Sequence, residues 1–183
     1  MMIKIANILI SVFLIFNLSN CKTVKNNKNP DTSPPKVEFS SHDLGESNFP
    51  EPKGRVNDFE LIFAAEEIVK LTEIISDFEK ETTNQIAIVS IKSIGEYKDF
   101  KKYAIDLSNY WGVGQKNKDN GLSIVFSKNL RKIRISTGNG TENTLTDEIC
   151  KNIIDQTIVP EFKNGNYYIG IEKGLTELIA KWK

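Results

Sequence analysis

Histidine and cysteine are nearly absent from this chain, which has one histidine, His42, and two cysteines, Cys21 and Cys150, in 183 residues. A single histidine leaves no histidine-based triad or phosphohistidine relay to assemble. Two cysteines, of which Cys21 has a separate role argued below, leave no internal disulfide framework and no thiolate metal cluster. Net charge is missing as well: 24 lysines and arginines stand against 24 aspartates and glutamates. Such a chain carries no overall electrostatic footprint for nucleic acid or an anionic surface. Proline is scarce except between Lys22 and Lys53, where five of the six prolines fall and large apolar residues are few.

The N-terminus is organised differently from the rest. Lys4 gives a short positive region, and Ile8 to Phe16 form an apolar run too short to span a bilayer. The run ends in Leu18-Ser19-Asn20-Cys21, which resembles a bacterial lipobox. Residues 1–20 therefore read as a lipoprotein signal peptide and Cys21 as the lipidated first residue; cleavage elsewhere by an ordinary signal peptidase is the alternative. Residues 21–53 read as a disordered tether, because they cannot bury enough apolar surface to offset ordering entropy. As a flexible coil it would reach roughly 30 Å. Residues 54–183 are the size of one domain. Lys22, with no Asp after Cys21, points to a periplasm-facing lipoprotein of the outer membrane.

Within the domain, Ile68, Leu71, Ile74, Ile75 and Phe78 mark one helical stripe, predicting a helix over 64–82. The preceding "RVNDFELIF" fits either extended chain or an early turn. Ile86 to Ile91 is a nearly continuous apolar run, as in a strand covered on both faces. Phe100, Tyr103, Ala104, Leu107 and Trp111 share one face of a second helix. Leu122 to Ser127 is another buried strand. In "RKIRISTG" Ile133 and Ile135 alternate with Lys132 and Arg134, a half-exposed strand at or near a sheet edge. The short link between these two strands predicts an antiparallel hairpin. Thr144 and Asp147 have capping-box spacing ahead of a third helix; Pro160 and Gly165 then punctuate the chain before a last helix over 167–182. With the first two strands parallel, the pattern predicts a three-layer α/β/α sandwich, an α/β fold with a small mixed sheet.

Two glycine-rich stretches stand out. "WGVGQKNKDNG" runs from helix into strand, the reverse of a phosphate-cradling loop. "STGNGTENTLTDE" runs strand to helix but lacks the lysine of a P-loop and puts Glu142 where an anion would sit, so no nucleotide is expected. The topology brings Asp119, Asn120, Gly138, Asn139, Gly140 and Glu142 to one end of the sheet. Their oxygen-rich, short side chains suit a hard cation such as Ca²⁺ or Mg²⁺, and nothing there suits zinc. Equally, Asp-Asn-Gly and Gly-Asn-Gly are ordinary turn sequences.

"GRVNDFELIFAAEEIVKLTEIISDFEKETTNQIAIVSI", "YAIDLSNYWGVGQKNKDNGLSIVFSKNLRKIRISTGNGTE" and "IIDQTIVPEFKNGNYYIGIEKGL" together resemble a TPM domain, over essentially all of residues 54–183. Similar domains occur in thylakoid-lumen and photosystem-maintenance proteins and in bacterial membrane-anchored proteins. The resemblance implies an α/β/α sandwich. It also implies a cation site formed by Asp58 of Val56-Asn57-Asp58, by Asp119 and Asn120 of Asp119-Asn120-Gly121, and by Glu142 of Gly138-Asn139-Gly140-Thr141-Glu142. Two functions are then open. One is a lipid-anchored accessory module of the cell envelope, working in a protein complex and binding a divalent cation weakly. The other is a metal-dependent acid phosphatase, with Asp58 or Asp119 on the metal and Glu142 as base.

Overall fold

A computed structural model of the protein describes residues 49–183. The expected signal peptide, Cys21 and most of the expected tether lie outside the described residues. The domain opens with β1 (Val56–Asp58), followed by α1 (Ala65–Thr82), β2 (Gln85–Ser90), α2 (Phe100–Trp111), β3 (Gly121–Ser127) and β4 (Lys132–Thr137). Then come α3 (Asp147–Ile153), a π-helical turn (Ile154–Ile158), α4 (Val159–Lys163) and α5 (Tyr167–Trp182). The strands form one sheet in the order β1-β2-β3-β4, parallel at the first two pairings and antiparallel at β3–β4.

The sheet separates two apolar layers, because side chains alternate across it. Ile86, Ile88, Leu122, Ile124, Phe126 and Ile135 pack with Leu71, Ile75 and Phe78 of α1 and with Leu175 and Leu178 of α5. Val89, Ile91 and Val125 meet Tyr103, Ala104, Leu107 and Trp111 of α2 on the other face. All seven residues of β3 are buried, whereas Lys132 of β4 is exposed. This is the sandwich that the periodicity predicts.

Helix termini follow local chemistry. Glu67 accepts the Ala64 backbone N–H at 2.8 Å and sits in the first turn of α1 beside Glu66, where the helix dipole favours negative charge. Asp99 caps α2 by accepting from Lys102 N at 2.6 Å, and Gly112 ends it at φ 63°.

Three details depart from the sequence reading. The ambiguous "RVNDFELIF" contains a short edge strand, β1, and then a turn. The third helix is capped by Thr146, which accepts from Ile149 N at 3.3 Å, while Thr144 is held in an earlier turn by its N–H to Thr141 O. Leu145, fully buried, fixes that extra turn in place. Pro160 does not interrupt the chain either. The π-helical turn before it lets Val159 N reach back five residues to Ile154 O, and Pro160 occupies the first turn of α4, where its missing N–H costs little. α5 packs closely on this segment: a Cβ at Gly174 would stand 2.5 Å from Ile158 Cγ1.

Candidate functional site

Asp58 ends β1 opposite Ser90, the last residue of β2, and therefore lies at the carboxyl end of the parallel strands. Its Oδ2 accepts the Ile62 and Phe63 backbone N–H groups, each at 2.7 Å, and its Oδ1 accepts the Ser90 hydroxyl. Ser90 Oγ in turn accepts Glu60 N at 3.0 Å. The Glu60 carboxylate receives Lys128 N at 2.7 Å and Asn129 N at 3.1 Å. These carboxylates satisfy backbone donors that would otherwise be stranded in a tight crossing of loops.

The two glycine loops do meet, at the opposite end of the sheet. Gly138 N donates to Gly121 O at 2.9 Å and Gly140 N to Asp119 O at 3.1 Å. A Cβ on Gly138 or Gly140 would collide with the carbonyl oxygens of Asp119 and Lys118, so these positions admit only glycine. Asp119 adopts φ 48°, the left-handed conformation that aspartate tolerates. Buried Asn120 clamps the loop. Its Oδ1 accepts from Gln115 N at 2.9 Å, and its Nδ2 donates to Thr83 O at 3.0 Å and Asn84 Oδ1 at 3.1 Å.

The expected convergence of Asp58 with Asp119, Asn120 and Glu142 therefore needs correcting. Gln85 pairs with Gly121, next to Asn120, while Ser90 pairs with Asp58. That puts about 16 Å of strand between the two groups, at ~3.3 Å per residue. β1 runs parallel to β2, so its end cannot turn back to the loops. The Asn120 amide is already engaged, which leaves Asp119 and Glu142 as two exposed carboxylates on the loops. Among the described residues no group of three or more His, Cys, Asp and Glu is placed to hold a metal. A hard cation takes six to eight oxygens, and these four residues do not fit one shared site.

A different feature occupies the carboxyl end of β2. A groove of about 920 Å³ runs along Ile91, the 92–97 loop and α2, and its walls include Phe49, Phe59, Tyr97, Tyr103 and Tyr110. Phe49 stands at its centre, with ring centroids 5.8 Å from Tyr97, 5.2 Å from Tyr103 and 5.6 Å from Tyr110. Tyr97 and Tyr103 meet edge to face at 5.2 Å. Pro50 O accepts the Trp111 indole N–H at 2.8 Å. Residues 49–53, assigned to the tether by composition, thus begin against the domain. At the rim Tyr97 donates to Asp106 Oδ2 at 3.0 Å, and Lys102 donates to the same oxygen at 2.7 Å. Desolvation and that carboxylate push the Tyr97 phenol up, while the Lys102 hydrogen bond lowers Asp106.

The family model described as the TPM domain matches residues 56–181. The chain belongs to the TPM domain family. Among solved structures, this TPM domain is similar to the N-terminal domain of a Porphyromonas gingivalis protein. Identity is 26%, covering 69% of this chain and 80% of that one, with a TM-score of 0.63. It also resembles the BA42 protein of the psychrophilic bacterium Bizionia argentinensis, at 22% identity over 68% of this chain and 88% of that one, TM-score 0.59. The N-terminal domain of a Corynebacterium glutamicum protein shares the fold at 13% identity, over 75% and 86% of the two chains, TM-score 0.56. No curated protein matches the chain.

The sequence reading missed the aromatic groove of this TPM domain. Its residues lie on four separate segments between 49 and 110, with no shared period. The one available signal was the spacing of Tyr103 and Tyr110, seven residues apart on α2 and so on one helical face.

Proposed function

We propose that this TPM domain is a non-enzymatic binding module of the bacterial cell envelope, tethered to a membrane through lipidated Cys21, with the aromatic groove as its recognition surface. The groove carries the reading. Phe59, Tyr97 and Tyr110 stand half-buried around Phe49 and above buried Tyr103, and such rings offer stiff contact area at little entropic cost, as recognition sites favour. Its place at the carboxyl end of a parallel strand is where open α/β sheets usually take ligands. The partner it suits is an extended segment of another envelope protein presenting aromatic or proline side chains, since Phe49 and Pro50 of the chain itself already lie there in that form.

Two further observations support a binding role over catalysis. Cys150 is buried, and desolvation pushes its thiol up to about 11, so it stays protonated and is no nucleophile at neutral pH. Of the residues that a phosphatase reading calls on, Asp58 lies at the opposite end of the sheet from Glu142, so the version with Asp58 on the metal has no base beside it. The lipid anchor rests on the Leu18–Cys21 sequence, and no helix among the described residues is long and apolar enough to cross a membrane.

The test is chemical crosslinking in intact envelopes, comparing the wild-type chain with a Tyr97→Ala/Tyr110→Ala variant shown by circular dichroism to be folded. A partner recovered with wild type should fall about tenfold with the variant, since hot-spot truncations cost at least 1–2 kcal/mol. Equal recovery would move recognition off the groove. Cys21→Ala should release the protein from the membrane fraction; retention would remove the lipid anchor from this reading.

A further inference from the structure

A second cavity, about 440 Å³, opens on the α2 side of the sheet between α2 and strands β3 and β4. Ser123 pairs with Ser136 and Val125 with Arg134 across these strands. Val125 belongs to the layer under α2, so alternation puts Arg134 and Ser136 on that same face. The walls are polar. Ser108, Ser123, Arg134, Ser136, Glu142 and Asp147 all line the cavity. Ser108 Oγ donates to Ala104 O at 2.6 Å, so the 2.5 Å contact between Ser108 and Ser123 leaves Ser123 as the donor. Both hydroxyl hydrogens there are used.

Arg134 and Ser136 differ. Arg134 Nε and Ser136 Oγ are buried atoms with no hydrogen-bond partner among the described residues. Among the described residues Arg134 holds only Asp147, through one long contact of 3.3 Å from Nη2 to Oδ1. Asp147 is 81% exposed against 25% for the Arg134 side chain, so that pair contributes little and opens easily. Nε and Nη2 form the side-on edge of the guanidinium, the edge that takes two oxygens of a carboxylate.

We propose that this cavity binds a small zwitterion of the α-amino-acid class. Arg134 takes the ligand carboxylate, assisted by Ser136 Oγ, and Asp147 takes the neighbouring ammonium. Charge decides the class. A simple anion at Arg134 would face the carboxylates of Asp147 and Glu142, whereas a simple amine would face the guanidinium. In an α-amino acid the opposite charges are neighbours on one carbon framework, and Arg134 and Asp147 present opposite charges in the same adjacency. The free hydroxyl of Ser136 supplies a donor to the carboxylate without adding charge, and the cavity has room beyond the charged pair for a side chain. This site adjoins the aromatic groove at Asn109, which lines both, but does not rest on the function proposed for that groove.

The experiment is a ¹H–¹⁵N NMR titration of the full chain with L-alanine, and in parallel with acetate and with ethylamine. L-alanine should give saturable shifts at the amides of Ser136, Gly138 and Asp147. Acetate and ethylamine should bind at least about tenfold more weakly, as each satisfies half the site. Arg134→Gln should abolish saturation, and Ser136→Ala should weaken binding about threefold to tenfold, both with unchanged spectra at the groove. Shifts that stay linear to 50 mM L-alanine, acetate binding as tightly as L-alanine, or full binding by folded Arg134→Gln would each overturn the proposal.

Discussion

Asp58 and Ser90 face one another at the ends of β1 and β2, and the serine hydroxyl is hydrogen-bonded to the aspartate. The same carboxylate gathers Ile62 N and Phe63 N, so one side chain closes the turn that leads from the edge strand into α1. Asp58→Ala should strand three donors and lower stability by about 2–4 kcal/mol, since a buried unmade hydrogen bond costs about 1–3 kcal/mol. For a domain of this size that is a fall in Tm on the order of 10 °C. Thermal unfolding by circular dichroism measures it. A change under 2 °C would show the turn to be held by other contacts.

Divalent cations should leave the fold nearly unaffected. A site ligated jointly by Asp58, Asp119 and Glu142 would raise stability by about 2.7 kcal/mol at a hundredfold excess over Kd, which these separated residues cannot deliver. Melting in EDTA and then in millimolar Ca²⁺ or Mg²⁺ should give Tm values within about 1 °C of each other. A rise of several degrees, abolished by Asp119→Asn, would place a cation on the glycine loops after all.

Cys150 links stability to alkaline pH. Burial raises its thiol from the ordinary value of 9.0 to about 11. The unfolded chain loses this proton above pH 9 and the folded chain only near 11. Stability is therefore intact below pH 9 and falls as pH rises from 9 to 11. Urea unfolding across that window should show a steeper loss for wild type than for Cys150→Ala. Parallel slopes would mean the thiol is not shielded, and so would rapid labelling of the native protein by a thiol reagent at pH 8.

Gly174 holds α5 against the π-helical turn. A methyl there would press into Ile158 Cγ1 and Cδ1, at 2.5 and 2.6 Å. Overpacking of this kind costs about 1–3 kcal/mol, so Gly174→Ala should lower the urea midpoint with little change in m-value. Pairing it with Ile158→Val should restore part of the loss, because removing Cδ1 takes away one of the two clashes and leaves the remaining γ carbons room to shift. No recovery in the double variant would separate the two positions.

Legibility divides along the distance over which a signal acts. α2 and α5 are written in their own apolar spacing, and β4 in the alternation of Ile133 and Ile135 with charges, so the sequence placed all three. Pro160 misled because proline acts against a regular helix, whereas here the preceding turn is already widened. Asp58 misled because its position depends on which way an edge strand of three residues runs, and nothing near it in the chain encodes that direction. The meeting of the Asp119 and Gly138 loops was readable, since the hairpin fixes which strand ends are neighbours. Phe49 was counted with the prolines around it, and only the tertiary arrangement of Tyr97, Tyr103 and Tyr110 gives it a place.

The two outer strands protect the protein from its own copies. β1 offers only three residues of ladder, too short to template another chain, and β4 opens on exposed Lys132. A second copy approaching β1 would gain few main-chain bonds, and one approaching β4 would meet the Lys132 charge at the start of that strand. Crowded copies of this domain should therefore stay separate by construction and resist fibrous stacking even at high concentration.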